Sequence, residues 1–332
     1  MMRLVLLPLA MLLATSRCVE LRPFSEPPPM TVVVISDLNG AYGSVTYEPR
    51  VAKIVDRIVQ DWEPNLVIAA GDLIAGQQPS LTDERVAAMW SAFDEVVGRK
   101  LREAGIPFGP TIGNHDGSRY PAHARDREFA LRHWRDPEHA PLLEFVDSTD
   151  FPFNYTFRQD GLFVLVWDAS NEEIARSPSQ LQWIESALAS PEAQGAGVRI
   201  VLGHLPLYAV AEGRNRPGEV LAEPDSLRAI LERHRVSTYV SGHHHAYYPG
   251  WRGSLELLHT GALGQGARPL IGSEEEPFAT VTVMEIWPAR GRVTYSTYRV
   301  SHEGAELDPV ADSSLPPRID GFNGHVRRRD LR

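Results

Sequence analysis

Five short apolar runs, each ending in a cluster of oxygen- and nitrogen-bearing side chains, constrain this chain more than any other feature. The runs are Val32 to Ile35, Leu66 to Ala70, Phe108 to Ile112, Arg199 to Leu202 and Ser237 to Val240. Each has the length and composition of a buried β-strand. They lead, in order, into Asp37-Leu38-Asn39, Gly71-Asp72, Gly113-Asn114-His115-Asp116, Gly203-His204 and Gly242-His243-His244-His245. Strand ends are good ligand platforms, because the strand fixes the backbone while the loop aims the side chain. Five ends that supply Asp, Asn and His describe one site at the edge of a sheet. Imidazoles mixed with carboxylates suit Zn, Mn or Fe, the carboxylates tolerating harder ions. The set is too rich for one metal and right for two that share a bridging Asp, an arrangement suited to phosphoryl transfer to water.

The segments between these runs alternate with them. Glu48 to Trp62 has Val51, Ile54, Val55, Ile58 and Val59 at helical spacing, and Asp83 to Ala104 is a long amphipathic pattern closed by Gly105. Tyr120 to Glu144 is rich in Arg and His, and its position after the Asn-His block suggests a partly helical cap over the site. Phe153 to Arg158 and Leu162 to Trp167 flank Gln159-Asp160-Gly161, a hairpin signal, and a second hairpin joins Ala279–Ile286 to Arg292–Val300. Ser179 to Ala189 and Pro224 to Arg235 read as helices. Two sheets with helices on their outer faces follow. The expected domain is residues 31–300, with a polar, poorly ordered tail over 301–332.

The first thirty residues read as processing signals. Residues 1–16 combine a basic start at Arg3 with an apolar run, Leu4 to Ala14, and a small-residue site at Ala14-Thr15-Ser16, which describes a signal peptide. The run is too short to span a bilayer comfortably, so no transmembrane segment is expected. Residues 17–30, with Pro27-Pro28-Pro29, form a linker. Periplasmic or secreted localisation follows. The single cysteine, Cys18, excludes an intramolecular disulfide. It stands where a lipid-modified cysteine would, but Arg17 before it disfavours that anchor. A formal net charge of −10 repels polyanions, so a phosphate substrate must be held locally and long nucleic acids are not expected partners.

The ordered set of blocks resembles the calcineurin-like metallophosphoesterase superfamily, whose pattern is Asp-x-His, Gly-Asp, Gly-Asn-His-Asp/Glu, Gly-His and Gly-His-x-His. Four of the five blocks are intact here and their order is kept, over roughly residues 31 to 300. Gln180-Leu181-Gln182-Trp183-Ile184-Glu185 is similar to a helix of that family. The resemblance implies an α/β fold, a four-layer αββα sandwich of two mixed β-sheets flanked by helices. It implies Asp37, Asn39, Asp72 and His245 around one divalent ion, and Asp72, Asn114, His204 and His243 around the other. Hydrolysis of phosphomonoesters or small phosphodiesters would then use a hydroxide bridging the ions, with His115 as the general acid that protonates the leaving alkoxide.

The first block departs from the pattern, since Asn39 stands where the family has His. Its carbonyl oxygen is a harder and weaker donor than imidazole. Asn39-Gly40 is also a strong turn signal, and the two roles can coexist. The departure keeps open a catalytically weak or inactive scaffold that binds phosphate ligands. Asp116 has two readings, as the residue that orients His115 or as a helix N-cap. His244, between two expected ligands, is read as a surface or substrate contact. Arg119 and Arg125 are read as phosphate contacts or solvated charges. His123, His133, His139 and His234 have no expected role.

Overall fold

A computed structural model describes residues 28–332. The proposed signal peptide, most of the linker and Cys18 lie outside the described residues. Among the described residues no helix is long and apolar enough to cross a membrane.

Two mixed sheets form the centre. The smaller has six strands, in the spatial order Leu307–Pro309, Arg292–Val300, Ala279–Trp287, Met30–Ile35, Leu66–Ala69 and Phe108–Pro110. The larger has nine. From one edge these are Arg318–Gly321, Gly324–Arg328, Tyr248–Arg252, Leu255–His259, Thr238–Ser241, Val198–Leu202, Leu162–Val166, Asn154–Gln159 and Glu144–Asp150. Helices Pro49–Arg57 and Asp83–Phe93 cover the small sheet, and Pro178–Leu188 and Pro224–Arg233 cover the large one. This is the αββα sandwich.

Side-chain alternation explains why the first two strands read as unbroken apolar runs. Val32, Val34, Leu66 and Ile68 belong to the core shared with the large sheet, whereas Val33, Ile35, Val67 and Ala69 belong to the core beneath the helices. A strand buried on both faces has no polar side to show. The expected helices form at their expected places. The long one runs from Asp83 to Glu103 through one π-turn, with Gly105 in the left-handed region at φ 71°. Both hairpins are present.

Two expectations need correction. Residues 301–332 are not a poorly ordered tail: Leu307–Pro309 extends the small sheet, and Arg318–Gly321 and Gly324–Arg328 form a hairpin that pairs with Tyr248–Arg252. Ile319 and Val326 are its buried anchors, too few to stand out in a polar segment. Nor is Tyr120 to Glu144 simply a cap. Its helix, Ala124–Arg135, sends Phe129, Ala130 and Trp134 into the core beside Trp90 and Phe93. His133 is buried there, stacked on Trp90 with ring centroids 4.6 Å apart.

Candidate functional site

Sheet register brings the expected residues together. The parallel pairings set Ile35 beside Ala69 and Ala69 beside Pro110, so the loops bearing Asp37, Asp72 and Asn114 leave the small sheet at one edge. Leu202 lies beside Val240 in the large sheet, which does the same for His204 and His243. Ligand sites in open α/β sheets form at such carboxyl ends. The His243 N–H donates to Asp37 Oδ1 at 3.1 Å and joins the two sets of loops.

Two donor groups result. Asp72, His204 and His243 form one, and Asp37, Asp72 and His245 form the other. Within each, the ligand atoms lie within 4.8 Å of one another, and Asp72 belongs to both. All of these residues are buried except His245, which is partly so.

Each imidazole has one nitrogen tied outward and the other turned inward. His204 Nδ1 donates to the Ala70 carbonyl at 2.7 Å, which leaves Nε2 facing Asn114 Oδ1 at 3.0 Å and Asp72 Oδ2 at 3.3 Å. His245 Nδ1 donates to the Gly266 carbonyl at 3.0 Å, with Nε2 3.1 Å from Asp37 Oδ1. His243 has Nε2 3.0 Å from a Glu219 carboxylate oxygen and Nδ1 2.8 Å from Asn114 Oδ1. Asn114 donates its amide to Gln77 Oε1 at 2.6 Å, and this aims its carbonyl oxygen inward. Such outer partners fix the tautomer and orientation of metal-ligating histidines.

The convergent atoms are therefore lone pairs facing lone pairs, which only positive charge can reconcile. His204 reports this demand. Burial alone would lower its pKa, but the Asp72 carboxylate facing it raises it to about 9, so a proton stands where a cation would. His243 is held down to about 4, chiefly by burial, and keeps a neutral imidazole lone pair. The donor set and its inward aim fit divalent cations.

The backbone is bent to make this cluster. Asp37, Asp72, His243 and His245 all have positive φ, between 50° and 63°. That left-handed region costs an L-residue roughly 1–2 kcal/mol, and Asp and His are among the residues that tolerate it best. Gly113 is required for a different reason. A Cβ there would lie 2.3 Å from the Asp72 backbone nitrogen and 2.2 Å from its Oδ1.

Asp116 neither orients His115 nor serves only its own short helix. It accepts from the N–H groups of Leu73 at 2.7 Å, Ile74 at 2.9 Å and Gly113 at 2.8 Å, clamping two ligand-bearing loops together. Burial and the nearby Asp72 charge push its pKa up to about 7, against the pull of these donors. Asn39 is 6% exposed and its side chain makes no hydrogen bond among the described residues. His115 stands beside Asp72, its Nε2 3.9 Å from Asp72 Oδ2, and Tyr42 stacks on its ring at 5.0 Å.

Other sequence readings find different places. His244 is not a surface contact: it is wholly buried, with Nε2 3.0 Å from the Glu219 carbonyl. Arg119 pairs with the buried Asp168 at 3.1 Å, and Arg125 donates to the Leu81 carbonyl at 2.5 Å. None of His123, His133, His139 and His234 enters either donor group. Gln77, Arg214 and Glu219 carry no motif in the sequence, yet with Asn114 and His243 they line a cleft of about 160 Å³.

Residues 30–247 match the model of the calcineurin-like phosphoesterases. The chain belongs to that family. Calcineurin-like phosphoesterases are metal-dependent, and the buried Asp and His groups above provide donors for the ions. Among solved structures, a purple acid phosphatase from yellow lupin (Lupinus luteus) seeds aligns with a TM-score of 0.59 at 16% identity. The alignment covers 87% of this chain and 54% of the lupin protein, so the chain spans about half that protein's length. The anchor of the inner membrane complex of Plasmodium aligns with a TM-score of 0.53 at 11% identity, over 87% of this chain and 92% of that one. At these identities the likeness concerns the fold. No curated protein sequence matches the chain.

Proposed function

We propose that this phosphoesterase hydrolyses phosphomonoesters or small phosphodiesters at a centre of two divalent ions (Mn, Fe or Zn). Asp37, Asn39, Asp72 and His245 would hold one ion, and Asp72, Asn114, His204 and His243 the other. The observation that carries the reading is the single carboxylate, Asp72, common to two converging donor groups. When bound, such ions supply Lewis acidity and neutralise phosphoryl charge, which no side chain here can do alone.

His115 is the general acid. Its Nδ1 is tied to the Gly76 carbonyl at 3.2 Å, which turns Nε2 towards the centre. Burial holds the imidazolium below its ordinary pKa, with Asp72 opposing, and so makes it a readier proton donor. His115→Ala is expected to lose about 10²–10⁴-fold in rate on alkyl phosphates. The same variant loses far less on p-nitrophenyl phosphate, whose phenolate leaves without a proton. Equal losses on both substrates would remove His115 from this role.

Asn39 supports a second reading. A carbonyl oxygen in place of imidazole weakens one donor group, and a scaffold of this kind would bind phosphate ligands without turnover. The Plasmodium neighbour is described as an anchor, which is a binding role for a protein of similar fold. Tight phosphate binding by the metal-loaded chain, with no hydrolysis of either ester class, would favour it.

A further inference from the structure

Glu219 lies on the loop from Ala209 to Ala222, away from every motif in the sequence, yet consecutive histidines grip it at two points. His243 Nε2 lies 3.0 Å from its carboxylate, and His244 Nε2 lies 3.0 Å from its main-chain carbonyl. Arg214 and Arg216 pair with the same carboxylate, Arg216 at 2.9 Å. The side chain is only 12% exposed. The C-terminal hairpin braces the loop: Asn215 accepts from the Phe322 N–H at 2.7 Å, and the Ala209 N–H donates to Asn323 at 3.1 Å.

We propose that Glu219 is the positioning residue for His243, accepting its Nε2 proton so that the Nδ1 lone pair is kept for a cation beside Asp72, Asn114 and His204. The inference rests on the two-ion reading and deepens it. Arg214 makes the carboxylate necessary. Its guanidinium also comes within 3.2 Å of His243 Nε2, and it can only donate. Without Glu219, Nε2 would meet a donor alone and become the acceptor. The ring proton would then move to Nδ1, where Asn114 Oδ1 waits at 2.8 Å. That tautomer has no lone pair for a cation. Glu219 therefore selects between two forms of one imidazole, and Arg214 supplies the penalty for losing it.

The test is a calorimetric titration of Mn²⁺ into the metal-stripped full-length chain. Wild type should bind two equivalents. Glu219→Ala should weaken one of them about 10–100-fold, the usual cost of losing such an outer partner, and spare the other. Glu219→Gln keeps an acceptor oxygen and should restore part of the loss, and it carries the test if the alanine variant fails to fold. The double variant Glu219→Ala/Arg214→Ala should bind more tightly than Glu219→Ala, because the competing donor is gone. A purely structural carboxylate would predict the reverse. If wild type binds two equivalents and every variant matches it, the positioning role is wrong. If wild type binds none, the two-ion reading itself fails.

Discussion

Asp72→Asn is expected to fold and to lose hydrolysis by about 10³-fold or more. The figure follows from several kcal/mol of charge stabilisation by metal ions, at a factor of ten for each 1.36 kcal/mol of barrier. The asparagine keeps an oxygen for the His115 N–H, which donates to Asp72 Oδ1 at 2.9 Å, so the loop retains its shape. What disappears is the charge common to both donor groups. The variant should also bind less Mn²⁺ at both positions, whereas a defect confined to one position would leave the other intact. Steady-state rates on p-nitrophenyl phosphate, beside a metal titration, read both effects. Retention of more than about a tenth of the wild-type rate would contradict the bridging role, since it corresponds to under 1.36 kcal/mol.

Asp116→Ala should have the largest effect on stability. It strands the N–H groups of Leu73, Ile74 and Gly113, all buried. A buried donor left without a partner costs roughly 1–3 kcal/mol, so the sum over three donors is on the order of 3–9 kcal/mol where the sites do not relax. Asp116→Asn keeps one acceptor oxygen and turns an amide towards the remaining donor, so it should cost about half as much. Urea unfolding of the metal-free chain measures the difference without interference from cation binding. An alanine variant within 1 kcal/mol of wild type would show that the clamp between the second and third ligand loops is dispensable.

Most of the centre was legible because its information is local. A strand that ends in Gly-Asp or Gly-Asn-His announces both a backbone position and a donor, and parallel register then aligns the ends. Asp37, Asp72, His204, His243 and His245 converge for that reason. Glycine in these motifs is explained by contact, as Gly113 against Asp72 makes plain. The outer partners were illegible for the complementary reason. Glu219 reaches His243 across 24 residues and Gln77 reaches Asn114 across 37, from loops with no periodic pattern. Asp116 was visible as a carboxylate, but its partners 42 and 43 residues away were not. The C-terminal hairpin escaped notice because its two buried apolar side chains, Ile319 and Val326, sit among charged neighbours. His244 misled for a similar reason. Two ligands on either side suggested exposure, whereas the loop it anchors buries it completely.

The most direct test of the account is reconstitution. The full-length chain is stripped of metal, then titrated with Mn²⁺ while hydrolysis of p-nitrophenyl phosphate and bis(p-nitrophenyl) phosphate is followed and bound metal is counted. The account predicts no turnover without metal and activity that rises to a plateau at two bound ions per chain. The ratio of the two rates then assigns the monoester or the diester preference. Hydrolysis that persists in the stripped protein, or two bound ions with no hydrolysis of either ester, would contradict it.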